Sequence, residues 1–176
     1  SLWLDKIGQQ VASEKLSLKL APHHPDIVAG QRFTSEGYIS EDYDMIERGV
    51  LKQFRLSDYA ARKTGYKRSP NSSLGSFIVE PGEESFETMI RDIDRGIFVA
   101  RLSGGSPSAS GDFSGVAKNC FLIEKGEIRE ALSETMINGN LAEFLMNIKA
   151  LSKEVVKDGS CVLPWVAIEG VGIAGK

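Results

Sequence analysis

Apolar and polar residues follow two rhythms along this chain, and the shorter one dominates. In "YDMIERGVLKQFRLS" apolar residues flank Glu47-Arg48-Gly49, and in "CFLIEKGEIREALS" they flank Glu124-Lys125-Gly126. Both patterns fit two strands joined by a tight turn in which glycine supplies a positive φ. Residues 43–57 and 119–133 are therefore predicted to form antiparallel hairpins turning near Gly49 and Gly126. Their centres share one order of residues, apolar-Ile-Glu-basic-Gly. That order reads either as one structural unit used twice or as the chemistry that exposed hairpins commonly select. At the far end, "CVLPWVAIEGVGIAGK" predicts one or two buried strands.

The second rhythm, with a period near 3.6, appears in three short stretches. Ser85 can cap a helix whose Phe86, Met89, Ile90 and Ile93 form one buried stripe and which Gly96 ends. Glu83, Glu84 and Glu87 crowd the positive end of its dipole. Asn140 with Glu143 makes a start resembling a capping box, ahead of a stripe of Leu141, Phe144, Leu145 and Ile148. A third helix, Asp58 to Lys63, is capped by Ser57 and closed at Gly65. Hairpins and helices without a regular βαβ alternation predict an α+β fold, mainly antiparallel sheet with about three short helices.

Composition narrows the function classes. With 176 residues and 41% apolar content, the chain suits one domain with a sizeable core. A net charge of -3, a pI near 5.5 and the absence of a dense Lys/Arg block argue against direct nucleic-acid binding. No apolar run approaches the roughly 20 residues of a membrane helix, so no membrane partner is expected. Two cysteines, Cys120 and Cys161, are too few for a disulfide framework and suit reduced thiols in the cytoplasm.

Few residues stand in a pattern that carries catalytic or metal-binding chemistry. His23 and His24 stand side by side in "APHHPD", where neighbouring side chains diverge, so a solvated loop is expected rather than a chelate. Cys120 beside Phe121 and Cys161 in "DGSCVLP" read as small core residues. The Ser/Gly stretch from Ser103 to Ser110 lacks the glycine-lysine pattern of a phosphate loop. Acidic pairs such as Glu83-Glu84 belong on a solvated helix face. No catalytic residue and no metal ligand is assigned within the chain.

The first residue is Ser1, followed at once by Leu2, Trp3, Leu4 and Ile7, which suggests a piece of something longer; the end at Gly175-Lys176 has the character of a terminus. The string "GDFSGVAKNCFLIEKGEI", then "INGNLAEFLMNI" and a close on "VGIAGK", resembles the C-terminal domain of the TldD/PmbA family, also called the modulator of DNA gyrase family. "LDKIGQQV", "FTSEGYISEDYDMIERGVLKQFRLSDYAARKTG" and "GEESFETMI" occupy corresponding places, so the resemblance covers the chain as a single domain, residues 1–176.

The resemblance implies a part in proteolysis or peptide maturation in the cytoplasm, within a homo- or heterodimer of TldD/PmbA-like subunits acting on extended peptides or unfolded proteins. Catalytic, TldD-like subunits carry a His-Glu-x-x-x-His zinc motif upstream of this region and a cysteine ligand in a Cys-Gly-Lys setting. Here no His-Glu pair occurs and Cys161 lacks the following Gly-Lys. "YAARKTG" and "INGNLAEFLMNI" look more like the PmbA/TldE side, which implies a noncatalytic partner. Zinc is then expected in a catalytic partner or in a full-length parent. The alternatives are a peptide- or protein-binding module without hydrolytic role and a zinc metallopeptidase whose motif lies upstream. Direct control of gyrase rests only on the family's older name. Ser103, Gly104, Gly105 and Ser106 are the candidate peptide-binding residues, because glycines there let another backbone approach closely and a peptide can add as a strand. A plain surface loop is the competing reading.

Overall fold

The computed structural model describes residues 2–71, 75–133 and 135–175. Its strands are β1 (Leu18–Leu20), β2 (Tyr43–Glu47), β3 (Val50–Leu51), β4 (Phe77–Val79), β5 (Arg95–Ser103), β6 (Asp112–Glu124), β7 (Glu127–Leu132), β8 (Met136–Asn140), β9 (Ile148–Lys157), β10 (Cys161–Ile168) and β11 (Gly172–Ala174). Among the described residues three helices interrupt them: α1 (Asp58–Thr64), α2 (Phe86–Arg91) and α3 (Leu141–Met146). One sheet runs β3-β2-β1-β4-β10-β9 and the other β11-β8-β6-β5, with β7 also paired to β6. Every pairing is antiparallel except β4 with β10. This is the α+β architecture the two rhythms predict.

Alternation along the short strands splits the first sheet's apolar residues between two cores. Leu18 and Val79, paired across β1 and β4, pack on a cluster of Val11, Ala12, Leu16, Ile46, Leu51, Ile148 and Leu151. Ile78 and Val162, paired across β4 and β10, point the other way and pack with Ala21 and Ile27. At β1, β4 and the start of β10 the sheet is thus packed on both faces.

Both predicted hairpins form, and their turns are alike in detail. Arg48 and Gly49 have φ of 46° and 77°, and Lys125 and Gly126 have 52° and 77°. Two positive values in succession mark the primed two-residue turn that matches strand twist. The first hairpin is shorter than expected: β3 stops at Leu51, so residues 52–57 lie beyond it. In β6, Asn119 has φ of 47° and sits where pairing with β8 gives way to pairing with β7. This local bend lets one 13-residue strand serve two partners on the same side.

The helix starts are as expected and two of the ends are not. Ser57, Ser85 and Asn140 each accept a backbone N–H through their side chains, from Ala60, Thr88 and Ala142. Gly65 closes α1 in the left-handed conformation. However, α2 ends at Arg91 with Asp92 as its cap, so Ile93 falls outside it and Gly96 belongs to β5. Likewise α3 stops at Met146, and Ile148 opens β9. In both places the next residues satisfy their backbone groups in a sheet ladder, which ends helices too short to be stable by themselves.

The closing segment forms two strands, β10 and β11, but the expected burial is only partial. Val162 is buried, whereas Leu163, Val166, Ile168 and Ile173 are exposed. β10 lies next to the edge strand β9, and β11 is itself an edge. Apolar alternation records which residues share a face; it does not record whether that face is covered.

Candidate functional site

The Ser/Gly stretch is the connection between β5 and β6. Pairing runs from Arg95 with Glu124 to Ser103 with Val116, along one edge of β5 only. Among the described residues no strand bonds its other edge. The outward half of the backbone N–H and C=O groups of this nine-residue strand is therefore presented in extended form, with Ser103 last. Phe98 fixes this strand against the first sheet. Its ring lies 6.2 Å from Phe121 across the pair, 5.2 Å from Trp165 of β10 and 5.5 Å from Phe86 of α2. Such aromatic contacts hold the strand through area burial together with favourable ring geometry.

Beyond Ser103, Gly104 and Gly105 have φ of 80° and 68°. A Cβ on Gly104 would meet open space, whereas one on Gly105 would run into the carbonyl oxygen of Ser114 and lie 2.9 Å from the Phe113 ring. The close approach expected from the glycines is thus filled at Gly105 by the chain's own β6. Open space remains at Gly104, and Ser103 and Ser106 are exposed. Gly104→Ala is accordingly expected to cost about 1 kcal/mol, the ordinary penalty of the left-handed region. Gly105→Ala adds a clash with the Ser114 backbone carbonyl of β6, for about 2–5 kcal/mol in all. Chemical unfolding of the two variants measures the difference.

The loop's far end is tied down by polar contacts. The Ser110 hydroxyl donates to the Asp112 carboxylate at 2.6 Å, and the Asp112 N–H donates to Ser108 Oγ at 3.1 Å. Asn140 Nδ2 donates to the Ser110 carbonyl at 2.9 Å and to Asp112 at 3.1 Å, while its Oδ1 caps α3. The Ser110 hydroxyl and then Asn140 hold the Asp112 carboxyl below its ordinary range. Asn140 reads in the sequence only as a cap. Its second role needs the β6–β8 register, which brings Asp112 opposite Asn140.

The other chemistry-bearing residues stand apart. Cys120 is buried in β6, and burial pushes its thiol pKa up. Cys161, expected as a core residue, is only half-buried: it opens β10 in a turn where Asp158 accepts from the N–H groups of Ser160 and Cys161 at 2.8 and 2.7 Å. Those two N–H donors and the Ser160 hydroxyl draw the Asp158 pKa down. His23 is exposed, its N–H donating to Asp42; His24 accepts the Asp26 N–H at its Nδ1. Zinc requires three or four converging donors, and among the described residues no three His, Cys, Asp or Glu side chains converge. The donors described here do not fit a zinc site of their own. Among the described residues no helix is long and apolar enough to cross a membrane.

Comparison with known proteins bears on the whole chain. It is 33% identical over 174 residues to the metalloprotease PmbA of Escherichia coli O157:H7, covering 95% of this chain and 38% of that protein. A crystal structure from Thermotoga maritima MSB8, solved as a candidate modulator of a DNA gyrase, superposes with a TM-score of 0.87 at 31% identity over 99% of this chain and 42% of that one. TldE from Thermococcus kodakarensis gives a TM-score of 0.83 at 29% identity, over 98% and 42% respectively. The chain thus spans about two fifths of the length of these relatives. Residues 1–175 match the family described as the PmbA/TldA metallopeptidase C-terminal domain, and the chain belongs to that family.

Proposed function

We propose that residues 1–176 are the C-terminal domain of a longer subunit in a TldD/PmbA-type peptidase system, the PmbA/TldE-like noncatalytic partner, acting in the cytoplasm. Its task is to pair with a TldD-like subunit and help form the cleft for an extended peptide. Zinc, the bound water it activates and the base that hydrolysis needs come from the catalytic partner. The observation that carries this reading is the open edge of β5 ending at Ser103 to Ser106. An edge of that kind accepts a peptide as an added strand through main-chain hydrogen bonds, with little demand on the peptide's sequence. The Cys161 setting, without a following Gly-Lys, supports the noncatalytic assignment.

Two measurements test it. Mixed with unfolded peptides and followed by mass spectrometry, the isolated chain is expected to leave them intact; metal-dependent cleavage that survives removal of trace contaminants would reassign it as the catalytic kind. For strand addition, an eight-residue peptide with alternate amides N-methylated on its pairing edge is expected to bind at least tenfold more weakly than its parent. Each lost backbone bond is worth roughly 0.5–1.5 kcal/mol, so several together exceed tenfold. Equal affinity of the two peptides, or a longer parent that neither pairs with a TldD-like subunit nor binds extended peptides, would overturn the reading.

A further inference from the structure

A second feature lies on the 22–39 segment, outside the β5 edge. Arg32, Phe33 and Ile39 belong to a small hairpin of their own: Phe33 bridges Ile39, Ser40 N–H donates to the Arg32 carbonyl at 2.8 Å, and Thr34 N–H donates to the Tyr38 carbonyl at 2.8 Å. Gly37, at φ 83°, turns it, and the Arg68 guanidinium lies 3.8 Å from the centre of the Tyr38 ring. The hairpin is thus built and braced, yet it leaves Phe33 60% and Ile39 66% exposed. These two side chains, with Pro22, His23, Gly30 and Arg32, line an open cleft of about 550 Å³. Gly30 closes its floor by lying against the Pro22 carbonyl, where a Cβ would not fit.

The side-chain donors in this cleft are unspent. Among the described residues the Arg32 guanidinium has no carboxylate within ion-pair distance. At His23, Asp42 takes the backbone N–H and leaves the imidazole free of any partner among the described residues. A free fork of guanidinium donors next to two exposed apolar side chains has a specific complement: a carboxylate carried on the same carbon as an apolar side chain. Within a polypeptide only the C-terminal residue offers that pair. We infer that this cleft binds the free C-terminal residue of a peptide, Arg32 and the His23 ring holding its carboxylate while Pro22, Phe33 and Ile39 hold an apolar side chain such as leucine. It borrows from the proposed function only the class of ligand, and the two sites fail independently. Strand addition at β5 reads backbone amides; the cleft reads a terminal charge.

The experiment uses two fluorescein-labelled peptides, Gly-Ser-Ser-Leu with a free carboxylate and the same sequence as the carboxamide, titrated with the whole chain by fluorescence anisotropy. The acid is expected to bind about tenfold more tightly than the amide, as a charge-assisted bond in a partly exposed site gives. In Arg32→Gln that tenfold preference disappears with little change in amide binding. In Phe33→Ser both peptides weaken together. Equal binding of acid and amide to the parent chain, or an acid preference that survives Arg32→Gln, overturns the inference. Neither outcome touches the N-methylation result when that octapeptide pair carries C-terminal carboxamides, because it then reports on β5 alone.

Discussion

Replacing Gly49 by alanine is expected to lower the stability of the chain by about 2–5 kcal/mol. The left-handed conformation costs alanine about 1–2 kcal/mol, and a crowded Cβ adds about 1–3. At φ 77° the new methyl would run into the Gln10 amide and the Ala12 carbonyl, and it would lie 2.7 Å from the Ser13 carbonyl. Relaxation is blocked because the turn is bonded to the same segment. Gly49 N–H donates to the Leu16 carbonyl at 2.7 Å, and its carbonyl accepts from Val11 and Ala12 at 2.9 and 3.1 Å. Val11, Ala12 and Leu16 are core residues, so moving the turn moves the larger core. Gly65 has the same φ of 77° and nothing within 4 Å of a new Cβ. Gly65→Ala should therefore cost only about 1 kcal/mol. Urea unfolding of both variants separates the two contributions, and equal losses would show that the close approach at Gly49 carries no energy.

The same comparison shows what sequence can and cannot reveal. Basic-Gly pairs between apolar runs announce both hairpins, and Ser57, Ser85 and Asn140 announce three helix starts, because turn and cap chemistry is local. What each turn docks onto is not local. Gly126 N–H donates to the Ile93 carbonyl much as Gly49 donates to Leu16, so the resemblance between the two hairpins extends to how they are held. The helix ends are equally non-local. Ile93 and Ile148 continue the helical stripe, but Gly96 and Ile148 have strand partners in Ile123 and Ile168 that no nearby residue foretells.

The candidate site divides along the same line. Ser103 to Ser106 attracts notice by composition, but composition cannot say that β5 is an edge strand, which depends on pairings spread over residues 95 to 174. Nor can it say which glycine stays open, since the Ser114 carbonyl that fills the space at Gly105 arrives through the β5–β6 register. Arg32, Phe33 and Ile39 escape sequence reading altogether. Their hairpin has no apolar alternation to mark it, and an unpaired arginine is visible only once its neighbours are.

Replacing Ser152 by alanine is expected to cost about 2–6 kcal/mol and to disturb the ground on which β5 rests. Ser152 is fully buried at 0% exposure. Its hydroxyl donates to the Glu154 carbonyl at 2.7 Å and accepts the Trp165 N–H at 2.8 Å, across an irregular step in the β9–β10 ladder between Pro164 and Val166. Alanine leaves both backbone groups without that partner, at about 1–3 kcal/mol for each such group that stays buried. The consequence travels along named contacts. Trp165 packs on Phe98 of β5 and on Phe86, whose N–H donates to the Glu154 carboxylate at 2.9 Å. Tryptophan fluorescence of Ser152→Ala should therefore change under native conditions, with peptide affinity at the β5 edge falling in step. Ser152→Thr, which keeps the hydroxyl and adds one methyl in a packed site, is the control for hydrogen bonding against volume. Recovery of the native emission in the threonine variant would assign the effect to the hydroxyl, whereas an alanine variant with parental stability, emission and peptide affinity would show that Ser152 does not position the strand.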